Sequence, residues 1–108
     1  MEAFKLEDLL QQHDEQGKLY LEFLRYPALS VGVYRLPAGG EDPQQPHNED
    51  EVYYVVSGKA KISVAHQVQD VSPGSIVYVA KHIEHHFHDI QENLTVLVFF
   101  APAEYSGQ

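Results

Sequence analysis

The sequence predicts an all-β fold, a closed antiparallel sandwich or barrel preceded by one short helix. Three observations predict it. Short runs rich in Val, Ile, Tyr and Phe recur about every ten residues. Gly, Pro and Asn punctuate them. Two runs, VYYVV (52–56) and LTVLVFF (94–100), are apolar on both faces, so each side of the sheet needs a cover. In a chain of 108 residues, read as one domain over 1–108, a homodimer is the expected cover, ahead of an N-terminal segment.

Taken in order, residues 4–13 place Phe4 or Leu6, Leu9, Leu10 and His13 at helical spacing, with Gly17 to close the helix. His13 reads as a partly exposed helix-end histidine. KLYLEFLR (18–25) and LSVGVYRL (29–36), separated by Pro27, read as strands. Pro37, Gly39, Gly40, Pro43 and Pro46 then define a loop that is neither helix nor inner strand. The remaining strands are EVYYVV, KAKISVAH, QVQDV, SIVYVA, HHFHDI and LTVLVFF. Breaks fall at Gly58, Pro73-Gly74, Lys81–Glu84 and Glu92-Asn93. The tail after Pro102 is expected to fray or to lie over a neighbour.

Composition narrows the function. The net charge of −9 and the lack of a basic stripe argue against a nucleic-acid partner, while a local basic pocket for a small anion stays open. Cysteine is absent, which excludes disulfides and thiolate metal sites. MEAFKLEDLL has neither the basic nor the apolar region of a signal peptide, and no apolar run is long enough to span a membrane. A cytoplasmic protein is expected.

The chemistry gathers in two stretches. His47 and Glu51 flank the boundary between the Gly/Pro loop and the strand EVYYVV. Downstream, KHIEHHFHD carries His82, His85, His86 and His88. Two imidazoles and a carboxylate suit divalent Fe, Mn, Ni, Co or Zn and leave coordination positions open. Each group also has a plainer reading: a solvated acidic loop for His47 and Glu51, and an acid-sensing surface for the histidines.

Both stretches resemble the motifs of the small single-domain cupins, which form a jelly-roll (double-stranded β-helix) barrel. Gly39, His47, Glu51 and Gly58 fall on the first motif, with Gln45 where a first histidine belongs. Gly74 and His85 fall on the second, where Ala80, His82 and Asp89 replace Pro, Gly and Asn. The resemblance implies a metal held by His47, Glu51 and His85. Gln45 would coordinate it weakly, hold a metal-bound water or leave the position open. Strand alternation puts His85, Phe87 and Asp89 on the inner face and His86 and His88 outside. His82 is then a proton-handling group at the barrel mouth or an exposed turn histidine. Tyr53, on the face of Glu51, is an inward hydroxyl near the metal or a core tyrosine. Arg35 anchors a substrate carboxylate or pairs with a surface acid.

The implied function is a metal-dependent protein for a small organic molecule. Dioxygenase chemistry is one form, and Lewis-acid isomerase or lyase chemistry another. Non-catalytic sugar or metabolite sensing, and a structural dimer with a vestigial site, remain as alternatives.

Overall fold

A computed structural model describes the structure of residues 1–106. Helix α1 runs Leu6–Gln16 and ends where Gly17, in the left-handed region (φ 76°), returns its N–H to the carbonyl of His13. Six antiparallel strands follow: β1 (Tyr20–Tyr26), β2 (Leu29–Leu36), β3 (Asp50–Val64), β4 (Gln67–Val71), β5 (Ile76–Val79) and β6 (His85–Ala101). Their order is β1-β2-β6-β3-β4, with β5 on the first half of β3. No helix among the described residues is long and apolar enough to cross a membrane.

Two expected breaks are bends instead. Gly58 sits inside β3, at register shifts against β6 between Val55 and Lys61. Its φ of +98° and the nearby backbone of Asn93 and Leu94 leave no room for a side chain. HHFHDI and LTVLVFF likewise form one strand, β6. The ribbon of β3 and β6 thus folds over itself: its first half in β3 pairs with β5 and its second half with β4. This closes the jelly roll.

Tyr53, Val55, Ile62, Phe87, Val96, Val98 and Phe100 fill the barrel, each at most 2% exposed. Position 32, opposite the inward Val98, is glycine because the ring of Tyr20 occupies the space a side chain would need. The outer face of β2 carries Val31 and Val33, also buried but outside this core. Arg35 shares that outer face and bonds Asp14 of α1 at 2.8 Å, which places the helix over it. Burial of Leu9 there is worth about 2 kcal/mol. The N-terminal segment therefore covers part of the sheet that a second copy was expected to cover. It also corrects the reading of His13: the residue is buried, with Nε2 2.6 Å from the carbonyl of Leu19, and it ties α1 to the start of β1.

The tail folds back on its own barrel. Ala103 and Glu104 are buried, and their N–H groups donate to the carbonyl of Pro27 and to Oγ of Ser30. The expectation of a frayed tail is overturned for these two residues.

Candidate metal centre

Glu51 is the second residue of β3, opposite Val79 on β5 and Phe100 on β6, so the strand's alternation turns it inward with Tyr53 and Val55. His85 opens β6. His47 comes from the Gly/Pro loop, which is clamped at two points. The backbone N–H of His82 donates to the carbonyl of His47 at 2.7 Å. Asp42 accepts from the Tyr34 hydroxyl through Oδ1, and from the Phe87 N–H and the Gln44 side-chain amide through Oδ2.

These elements bring one donor atom each of His47, Glu51 and His85 within 4.8 Å of one another. The side chains of His85 and Glu51 are 1% and 0% exposed, with Nε2 and Oε1 2.7 Å apart. Despite that distance they form no aligned hydrogen bond, and both Glu51 oxygens are otherwise without partners. The other ring nitrogen of His85, Nδ1, donates to the carbonyl of Ile83 at 2.9 Å. That bond fixes the tautomer and leaves the Nε2 lone pair facing the cluster. A buried carboxylate without a partner is unfavourable, and a cation among the three donors removes the penalty. Two nitrogens and one oxygen fit a divalent transition metal.

Burial pushes the His47 imidazole below its ordinary pKa, against the pull of Glu51, and so favours the neutral ligand form. Burial acts the same way on His85, but the Glu51 carboxylate and the Ile83 carbonyl outweigh it and raise its pKa. Without a cation, a proton on His85 compensates Glu51.

The other candidates separate. Tyr53 is fully buried, and its hydroxyl donates to Oε1 of Gln44 at 2.9 Å. Burial and the neighbouring Glu51 raise its pKa, so it stays a donor. Gln45 is exposed at the pocket rim, while its neighbour Gln44 reaches the site. The His82 side chain is exposed; only its backbone serves the loop. His86 is exposed and His88 bonds Oγ of Ser63 at 2.7 Å, both on the outer face as alternation requires. Asp89 does not follow His85 and Phe87 inward. Its φ of 48° breaks the alternation, it is exposed, and Ile90 takes the next inner position. Arg35 pairs with Asp14 and with Oγ1 of Thr95 on the outer face.

His47 also lines a cavity of about 600 Å³ with Tyr20, Tyr34, Gln44, Phe100 and Glu104. The Tyr20 hydroxyl is buried without a partner. Glu104 approaches Nδ1 of His47 at 3.5 Å; burial and the charges of Glu22 and Glu49 push its carboxyl up to about 7. Sequence reasoning missed Asp42, Gln44, Glu49 and Glu104. No motif or periodicity marks them, since three lie in the irregular loop and one in the tail.

An antiparallel jelly roll with an inward His/Glu/His cluster beside a cavity defines the class, a small β-barrel with a candidate mononuclear centre. Residues 32–100 match the family model of the cupin domain, and the chain belongs to the cupin family. An uncharacterised protein of Streptomyces coelicolor is 48% identical over 104 residues, 96% of this chain and 99% of that one. An RmlC-like cupin from Shewanella frigidimarina superposes with a TM-score of 0.73 at 19% identity, over 82% of this chain and 79% of that one. KdgF from a Halomonas species gives 0.73 at 19% identity, over 82% of each chain. At those identities the two structures speak for the fold alone.

Proposed function

We propose that the protein binds one divalent transition metal through His47, Glu51 and His85 and holds a small organic molecule beside it in the cavity under Tyr20 and Tyr34. The single observation that carries this is the Glu51 carboxylate, fully buried with no aligned hydrogen bond, beside the bare Nε2 of His85. Structural carboxylates in cores are paired with a cation or several N–H donors. This one faces two imidazoles, and one of them, His47, lines the cavity.

The two-histidine, one-carboxylate set with an open side favours oxygen chemistry of the dioxygenase kind; iron held by His47, Glu51 and His85 would supply dioxygen activation there. The chain's own residues orient the organic molecule: Tyr20 offers an unpartnered hydroxyl, Tyr34 and Phe100 offer apolar surface, and Glu104 accepts a hydrogen bond. Lewis-acid isomerase or lyase chemistry is the second reading. It is favoured by Glu104, a carboxyl placed to take or return a proton. Homodimerisation through the uncovered part of the outer face and a cytoplasmic location complete the proposal.

Electron paramagnetic resonance of Fe(II)-loaded protein exposed to nitric oxide tests the open side. A high-spin iron–nitrosyl signal is expected. A saturated centre that takes up no nitric oxide contradicts the oxygen-chemistry reading.

A further inference from the structure

We propose that Gln44, rather than Gln45, supplies a fourth donor to the metal through its side-chain amide oxygen. The inference rests on the metal reading above and concerns a residue that no sequence motif marks.

The Gln44 amide can face only one way. Its nitrogen lies 2.7 Å from Oδ2 of Asp42, and a carboxylate only accepts, so the NH2 end is fixed there. Asp42 is itself pinned by the Tyr34 hydroxyl and the backbone N–H of Phe87. The oxygen end is therefore presented to Tyr53 and His47. It accepts from the Tyr53 hydroxyl at 2.9 Å, which leaves one of its two lone pairs free.

The remaining approach is 3.4 Å, to Nε2 of His47. That is long for an N–H···O bond, which normally closes to about 3.2 Å or less. It is a weak hydrogen bond while Nε2 of His47 carries a proton, and with Nε2 bare the same distance suits two donors on one ion: metal–nitrogen and metal–oxygen bonds of about 2.1 Å hold their donors about 3.0 to 3.5 Å apart. Tyr53 holds Gln44 beside the cluster, because Glu51 is the neighbour of Tyr53 on the inner face of β3. Gln45 has no comparable hold. It is exposed, and no side-chain bond orients it among the described residues.

The test uses full-length protein, Co(II) for affinity by chelator competition and Mn(II) for counting bound waters by 17O broadening of the resonance lines. Gln44→Met keeps the side-chain length and removes the oxygen. It should weaken Co(II) by roughly tenfold or more and add one exchangeable water to Mn(II). Gln45→Ala should change neither. Gln44→Asn keeps the amide but draws its oxygen back by one methylene and should also add one water; it decides the matter if the methionine variant fails to fold. An unchanged water count in Gln44→Met or in Gln44→Asn, or the expected losses appearing in Gln45→Ala, overturns the assignment. Parent protein that binds Co(II) in all these cases keeps the three-residue site; parent protein that takes up none removes both proposals.

Discussion

Nε2 of His85 lies 2.7 Å from Oε1 of Glu51, in a place where neither side chain meets water and neither atom completes a hydrogen bond. The neighbouring bond from Nδ1 of His85 to the Ile83 carbonyl holds this arrangement.

Glu51→Gln should separate the metal from the fold. In chelator, the variant loses the pairing that a proton on His85 gives Glu51 and should melt below the parent. With metal at a hundred times its dissociation constant, the parent should gain about 2.7 kcal/mol and the variant far less. Paired melting curves with and without metal read both effects.

The chelated protein should lose stability as pH rises. His85 and Glu104 both have raised pKa values in the fold, Glu104 from 4.5 to about 7, so their protonated forms favour folding. That contribution is complete below the unfolded values and is lost through the folded ones. For Glu104 the window runs from about 4.5 to about 7. His47, lowered by burial, acts in the opposite sense below its ordinary value. Metal occupancy should move the other way, falling as acid protonates the ligands. Melting temperatures of the chelated protein at pH 5, 6, 7 and 8 should decline, and Glu104→Gln should flatten the slope.

Gly58 should tolerate no side chain. Its positive φ and the Asn93 backbone beside it predict a loss of about 3 kcal/mol for Gly58→Ala. Gly39, also at positive φ but with open space around it, should lose about 1 kcal/mol on the same change. Urea denaturation of the two variants measures the difference.

The outer face gives a test of assembly. Tyr54 pairs with Ile76 and Val52 with Tyr78 across β3 and β5, and Tyr54, Ile76 and Tyr78 are 40%, 70% and 60% exposed. If the proposed homodimer forms through this face, the parent should scatter light at twice the chain mass and Ile76→Glu/Tyr78→Lys at the chain mass, with metal binding intact.

Much of this was legible because strands impose parity. The bounds of β2 agree with LSVGVYRL residue for residue, and Glu51, Tyr53, His85 and Phe87 lie inside as alternation requires. Parity fails where the backbone leaves the strand, at Asp89 and in the loop that carries Gln44 and Gln45. Glu104 was illegible for another reason. Its approach to His47 depends on the tail docking against Ser30, a contact between residues far apart in sequence. His13 was misread because helical spacing alone does not reveal that Leu19 turns its carbonyl back toward it.

The most direct measurement is elemental analysis of protein purified without chelator or added metal, beside the His47→Ala/His85→Ala double variant. A divalent transition metal near one per chain in the parent, and little in the variant, is the expected result. Equal metal in both, or none in the parent even after reconstitution with Fe(II), Mn(II), Co(II), Ni(II) and Zn(II), would contradict a metal held by His47, Glu51 and His85.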